Sequence, residues 1–401
     1  MRDTAPIYLD NHATTRPDPR VVAAMLPYLE ESYGNAASRH HAFGWDAERA
    51  VDRARRTLAS ALGAAPNEIV FTSGTTESVN LALQGAARAR RPRGRHLVTT
   101  AIEHPAVLET LEALTNEGFE LEVVGVDGAG RVDPAEFAAA LREDTTLASV
   151  MFANNEVGAI QPIAKIGAAC RARGVWLHVD AAQALGRLPI DLAELPVELL
   201  SASAHKMHGP KGAGLLFCRS RAPHVTLEPV FFGGGHERGL RPGTLDVPAI
   251  VGFATALEIA LADREGEQAR IAALRDRLES LLLDSVSGAR RNGPDRDRLA
   301  ANLNLSIPGV AIEAVLAELE GLAVSSGSAC ASASQRPSHV LAAMGLSPAL
   351  ARASLRFGLS RFTTLREVDA AAEQVAAAVA AVRSRSPRTA GGNPKNSASI
   401  D

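Results

Sequence analysis

Lysine is nearly absent from this chain: of its 42 basic side chains, only Lys165, Lys206, Lys211 and Lys395 are not arginine. Arginine serves for charge everywhere else, so charge alone does not explain these exceptions. An amine that must shed its proton to form a Schiff base cannot be replaced by a guanidinium, which stays protonated. Cysteine is almost as scarce, with Cys170, Cys218 and Cys330 well separated. Such spacing excludes a disulfide framework and a CxxC metal knuckle, and a reducing cytoplasm is the expected compartment. No compact Cys/His quartet exists, and His205-Lys-Met-His208 and His40-His41 lack the context of a zinc motif. Long apolar runs are missing too. Charge or glycine interrupts each one well short of the roughly twenty residues that span a bilayer, so no membrane association is expected. The formal net charge is −3, which offers nothing to attract nucleic acid. The patterned sequence begins by Ile7-Tyr-Leu-Asp10, so no secretory or organellar signal is expected.

What is present is globular: 401 residues, 46% hydrophobic and 22% charged, enough for a large domain and a smaller one. From about Arg95 to Cys218, short apolar runs (His96–Thr100, Leu121–Val126, Leu147–Phe152, Val175–Val179, Leu199–Ser201, Gly214–Phe217) are mostly separated by helical stretches such as Pro105–Glu117, Pro134–Glu143 and Ile163–Arg173. This alternation predicts an α/β fold, a mostly parallel sheet between helices. Ligands of such sheets bind beyond the carboxyl ends of the strands. Asn154-Asn155-Glu156, Asp180 and Ser203–Lys206 all follow strand ends. After Pro248 a helical connector to about Ser285 leads into a smaller α+β region. That region has strands at Asn302–Ile307, Leu322–Ser325 and Leu355–Leu359, and helices at Ile312–Glu320 and Leu365–Arg385. Ser386–Asp401, rich in Pro, Gly, Ser and Asn, reads as a disordered tail.

Lys206 sits in Ser201-Ala-Ser-Ala-His-Lys206, downstream of His178-Val-Asp180-Ala-Ala-Gln183. A buried carboxylate after an apolar strand needs a cation or strong donor. The pyridine nitrogen of pyridoxal 5'-phosphate (PLP) is one, and an acid that keeps it protonated makes the ring an electron sink. Alone, Asp180 reads as a cap or turn residue; with Lys206 downstream, the cofactor reading is preferred. Phe71-Thr-Ser-Gly-Thr75-Thr76-Glu77 opens a helix whose amides and hydroxyls make an anion site, or simply a capping box. Ser203 and His205 offer further phosphate donors. His104, where a strand gives way to a helix, suits stacking on a flat ring and proton transfer near neutral pH, although a lone histidine is more often structural. Cys330 lies in Val324-Ser-Ser-Gly-Ser-Ala-Cys330-Ala-Ser-Ala-Ser334. This run of small residues cannot pack a core and predicts a mobile loop with a reactive thiol, or an inconsequential surface cysteine. Cys170 and Cys218 read as core thiols. Arg356, on a predicted strand, can hold a carboxylate through a bidentate pair; Arg361, nearer the strand end, is expected to be solvated. Phe232-Gly-Gly-Gly-His-Glu-Arg-Gly239 and Arg241-Pro-Gly-Thr244 form a flexible, donor-rich loop in which dense glycine implies close backbone approach to a ligand or another subunit.

Taken together, Tyr8-Leu-Asp-Asn-His-Ala-Thr-Thr15, Phe71–Ser78, Asn154-Asn-Glu156, His178–Gln183, Ser203-Ala-His-Lys206, Gly233–Thr244 and Ser325-Ser-Gly-Ser-Ala-Cys330 resemble the cysteine desulfurases, over about residues 7 to 385. The last run is similar to the NifS/IscS-like group, which has the longer catalytic loop. The resemblance implies a fold-type I PLP-dependent transferase. Residues 1–15 would join the small domain, 16–260 form the large PLP-binding domain, 261–385 form the small domain with the cysteine loop, and 386–401 form the tail. It implies that Lys206 carries the cofactor, Asp180 holds the pyridine nitrogen, His104 stacks on the ring and Gln183 contacts the phenolic oxygen. Thr75, Thr76, Ser203 and His205 would bind phosphate, joined by Thr244 from a second subunit. Asn155 and Arg356 would orient the substrate carboxylate, and Cys330 would receive sulfur from L-cysteine. The implied assembly is a homodimer that hands sulfur to an iron–sulfur scaffold or another acceptor protein, with no resident metal beyond a transient iron–sulfur contact at Cys330. Thr75 stands where the family commonly has Ala, Asn35-Ala-Ala-Ser38 where it has Asn-Pro, and Ala204 where it has Gly. The rival readings are a selenocysteine lyase or other fold-type I aminotransferase, in which Cys330 is dispensable, and a non-catalytic sulfur-relay subunit, which would be colourless.

Overall fold

The computed structural model describes residues 6–326 and 337–385. β1 (Ile7–Tyr8) precedes two helices, α1 (Pro19–Glu30) and α2 (Ala42–Ala61). Asp18 caps α1 by accepting a hydrogen bond from the Arg20 amide, and Pro19 occupies the first turn, where its missing N–H costs nothing. There follow β2 (Ile69–Thr72), α3 (Thr75–Arg90), β3 (His96–Thr100), α4 (Pro105–Thr115), β4 (Glu120–Val124), α5 (Pro134–Ala139), β5 (Thr145–Met151), α6 (Ile163–Ala172), β6 (Trp176–Asp180), β7 (Leu199–Ser203) and β8 (Gly214–Cys218).

Strands β2 to β8 form one seven-stranded sheet in the order β2-β8-β7-β6-β5-β3-β4. β4, β3, β5, β6 and β7 are mutually parallel, and β8 runs antiparallel to both β7 and β2. The α/β expectation is met. Every residue of β3, β5, β6, β7 and β8 is buried, as a sheet covered on both faces requires, and only the edge strand β4 is largely exposed. The register sets the carboxyl ends of β5, β6 and β7 side by side: Met151 pairs with Asp180, and Asp180 with Ser201. The segments carrying Asn155, Asp180 and Lys206 therefore emerge together.

α7 (Val247–Ala262) packs into the core of this sheet. α8 (Arg264–Ser285) belongs instead to a second core, built with Leu9, β10 (Asn302–Ser306), α9 (Ile312–Glu318), β13 (Ser354–Gly358) and α12 (Leu365–Arg385). The remaining elements are β9 (Arg290–Arg291), β11 (Leu322–Ala323), β12 (Ser325–Ser326), α10 (His339–Ala343) and α11 (Pro348–Arg352). The smaller sheet runs β12-β13-β10-β9, antiparallel throughout. The strand expected over Leu322–Ser325 is two strands, because the chain changes partner at Val324: β11 pairs with β1, and β12 with β13.

Arg361 is not solvated. Its guanidinium is 7% exposed and pairs with Asp18 at 3.3 Å and Glu267 at 3.0 Å, because the end of β13 meets the cap of α1 and the first turn of α8, both acidic. Cys170 and Cys218 are buried free thiols, pushed up to about 12 by burial, as core cysteines should be. Among the described residues no helix is long and apolar enough to cross a membrane, and no group of His, Cys, Asp and Glu could hold a metal ion. Cys330 and the tail after Arg385 lie outside the described residues.

Candidate active site

A cavity of about 590 Å³ opens where β5, β6 and β7 end. Asn155 lines it after β5, Asp180 and Gln183 after β6, and His205 and Lys206 after β7. Thr75 and Thr76 reach it from α3, His104 from α4 and Arg356 from β13. Segments far apart in sequence thus converge on one hollow. Ser203 does not line it, and Thr244 lines an adjoining cavity together with Thr76, Glu77 and Arg241.

Lys206 closes a single 3₁₀ turn after β7, and its Nζ donates to the carbonyls of His12 at 2.7 Å and Ala13 at 2.8 Å. The Asp180 carboxylate is buried, with Oδ1 accepting from the Ala182 amide at 2.9 Å. Burial pushes this carboxyl up to about 6 despite that bond and the nearby Lys206 charge. Behind it lies Glu103, fully buried and pushed up to about 8 by burial, although Thr100 Oγ1 (2.6 Å) and the Met151 amide (2.9 Å) donate to it. A buried acid raised in this way calls for a cation or an N–H donor at Asp180.

His104 caps α4: its Nδ1 accepts from the Ala106 amide at 3.1 Å, so the ring hydrogen is on Nε2. Burial, then the charge of Lys206, lowers it to about 4. An uncharged ring at neutral pH suits stacking more than carrying a proton. At the other end of the cavity, Gly74 stands at the N-cap of α3 and brings no capping side chain, so the first-turn amides are left to other acceptors. Glu77 does not close a capping box; its carboxylate accepts from the Ser73 amide at 2.7 Å and from Arg241 Nε at 2.8 Å. A Cβ on Gly214 would meet Gly74 Cα at 2.5 Å, so glycine is what allows β8 to lie against this turn. Thr75 Oγ1 and Ser203 Oγ are buried without a partner. His205 Nδ1 meets Thr14 Oγ1 at 3.1 Å, and burial followed by Lys206 and Lys211 lowers its ring to about 4.

Arg356 is 1% exposed. Nη2 donates to Asp10 Oδ1 at 2.7 Å and Nη1 to the Asn155 carbonyl at 3.4 Å, while Nε is buried without a partner. The glycine-rich loop, expected to be flexible, is anchored: the buried Glu237 accepts from Arg55 Nη1 (2.9 Å) and Nη2 (2.6 Å) and from the Phe71 amide (2.8 Å). Sequence reasoning passed over His12, Thr14 and Lys211, all of which line the cavity, and Arg187 behind it. The scarcity of lysine pointed to Lys211; nothing in the sequence marked Arg187.

This donor set fits PLP. Partnerless hydroxyls and the open end of α3 suit a phosphate, a raised buried carboxyl suits a pyridinium, and Lys206 supplies the amine between them. The comparisons agree. The aminotransferase class-V family model matches residues 7–371. "Cysteine desulfurase IscS" of Anaeromyxobacter dehalogenans is 51% identical over 382 residues, 95% of this chain and 94% of the relative. Among solved structures, a NifS-like protein superposes with a TM-score of 0.87 at 38% identity, over 94% of this chain and 99% of the other. SspA in complex with cysteine gives 0.79 at 34%, over 90% and 100%. The chain belongs to the aminotransferase class-V family, PLP-dependent enzymes whose fold and lysine-bearing cavity it shares. Within that family it stands among the cysteine desulfurases.

Proposed function

We propose that this protein removes sulfur from L-cysteine, releasing L-alanine and leaving a persulfide on Cys330. The observation that carries this reading is the convergence of Lys206, Asp180, His104, Gln183 and Arg356 on one cavity. When bound, PLP supplies an electron sink for negative charge at the substrate α-carbon. Lys206 would hold the cofactor, and its amine, when free, is the base placed to take the substrate α-proton. Asp180 would hold the pyridine nitrogen in its protonated form, and the uncharged His104 would hold the ring. Gln183 would donate to the phenolic oxygen. Thr75, Thr76, His205 and the amides of α3 would hold the phosphate, while the buried Ser203 stands outside the cavity lining. Asn155 and Arg356 take the substrate carboxylate; Asp10 already occupies part of the Arg356 fork, so it presets the direction of the guanidinium. The Cys330 thiolate attacks the substrate sulfur: an S–S bond forms, the C–S bond breaks, and the carbon keeps the electron pair and is protonated to alanine. Supplying L-cysteine to the PLP-loaded protein tests this: alanine should appear without an added keto acid. A requirement for keto acid would make it an aminotransferase instead.

The same reading includes a cytoplasmic homodimer in which Thr244 of the partner subunit completes the phosphate site, with residues 1–15 and 261–385 as the small domain and 16–260 as the large one. Large apolar side chains left in water at Leu29, Tyr33 and Phe232 support an interface. An iron–sulfur scaffold or other thiol-bearing acceptor would then take the sulfur.

Two variants check the assignments. Asp180→Asn should lower kcat about a hundred- to a thousandfold while the protein still takes up cofactor, since a group that stabilises developing charge is lost. An unchanged kcat would remove Asp180 from the site. Arg356→Lys keeps a cation for Asp10 but loses the bidentate fork. It should raise KM for cysteine about tenfold with a smaller change in kcat; a change in kcat alone would argue against carboxylate binding.

A further inference from the structure

Arg187 lies behind the cavity, at the end of the turns that follow β6. Its Nη1 donates to Gln183 Oε1 at 2.7 Å and its Nη2 to the Lys206 carbonyl at 2.6 Å. Among the described residues no carboxylate forms an ion pair with it, and its bonds go to neutral oxygens. A partly buried guanidinium with no direct ion pair, helped only by the more distant charge of Glu267, is expensive, so its position needs a reason.

Donor logic supplies one. A guanidinium only donates, so the Gln183 atom facing Arg187 is the oxygen, and the amide cannot be turned over. His12 Nδ1 lies 3.0 Å from that same oxygen and must therefore carry its hydrogen. Gln183 Nε2 spends one N–H on the His12 carbonyl at 3.0 Å. The oxygen thus has two donors, and one amide N–H remains for whatever binds in the cavity that Gln183 lines. Without Arg187, the His12 carbonyl would still favour this orientation, but the amide oxygen would keep only the His12 ring as a donor, and a neutral imidazole can shift its hydrogen to Nε2 and stop donating.

We propose that Arg187 is a positioning residue that, with His12, clamps the Gln183 amide so that its remaining N–H is presented to the phenolic oxygen of the cofactor. The same guanidinium holds the backbone at Lys206, tying the amide donor and the cofactor-bearing amine to one rigid group. This rests on the PLP reading above and assigns a role that no contact between Arg187 and the reacting atoms would reveal.

The test is a double-mutant cycle on cofactor affinity, read by titrating PLP into the cofactor-free protein and following its absorbance, independently of turnover. Gln183→Ala should weaken PLP binding about tenfold, the scale of a hydrogen bond to a charged oxygen. Arg187→Met should weaken it to a similar extent and shift the wavelength of the bound cofactor's visible band in the same direction as Gln183→Ala. In the Gln183→Ala background, Arg187→Met should cost much less than it does alone. Arg187→Lys, which keeps a donor for Gln183 Oε1, should recover most of the loss. Additive effects of the two substitutions, or undiminished affinity in Arg187→Met, would overturn the proposal. If Arg187→Met does not fold, the cycle run with His12→Phe removes the other donor to the same oxygen and reads the same coupling. Failure of the wild-type protein to take up PLP or to consume cysteine would instead sink the underlying functional reading, whatever the cycle shows.

Discussion

Lys206→Ala should reduce cysteine turnover about ten-thousandfold and abolish the visible band of lysine-bound cofactor. General acid–base catalysis alone is worth up to about that factor, and the amine is also the covalent anchor. The structure gives Lys206 a second duty, since Nζ holds the carbonyls of His12 and Ala13 in the N-terminal segment. Loss of activity in the alanine variant could then be traced to that segment rather than to chemistry. Lys206→Arg separates the two. A guanidinium can still donate to backbone carbonyls but cannot lose its proton at any working pH. The arginine variant should therefore fold as the wild type does and remain equally inactive and without the band. Activity in Lys206→Arg would reduce the lysine to a structural cation.

Cys330→Ala should end persulfide formation while leaving cofactor and cysteine binding intact. Its force comes from the other two cysteines. Cys170 and Cys218 are buried, far from the thiolate state at neutral pH because burial pushes both up to about 12, and neither lines the cavity. No other thiol in the chain is placed to take over. Alanine release should fall to the rate at which small external thiols accept the sulfur, and adding dithiothreitol should recover only a minor part. Near-normal sulfur transfer would favour the lyase or aminotransferase reading.

Much of this was legible in the sequence because the chemistry and the topology leave local marks. Apolar runs separated by helical stretches announced the parallel sheet, and polar residues after those runs announced its ligand edge. A lysine in an arginine-rich chain and an acid after a buried strand announced a cofactor. What stayed hidden depends on contacts between distant segments. Asp10 and Arg356 are 346 residues apart and meet only because β13 lies against the N-terminal segment. Arg361 looked solvated because its strand was ending, and the acidic partners that bury it come from α1 and α8. Arg187 belongs to no motif, and although His12 lies in the Tyr8–Thr15 run, the part the two play together appears only once both donate to the same oxygen. The glycine-rich loop looked flexible for want of side chains, but Glu237 and Arg241 fasten it to distant segments.

The account turns on the lysine-bearing cavity passing sulfur to one thiol. The direct measurement mixes PLP-loaded protein with one equivalent of L-cysteine in the absence of reductant, quantifies alanine, and maps added mass by peptide mass spectrometry. The expected result is about one alanine per active site and one added sulfur atom on the peptide containing Cys330, with none on those containing Cys170 or Cys218. Alanine without sulfur on Cys330, or sulfur distributed over the other cysteines, would contradict it.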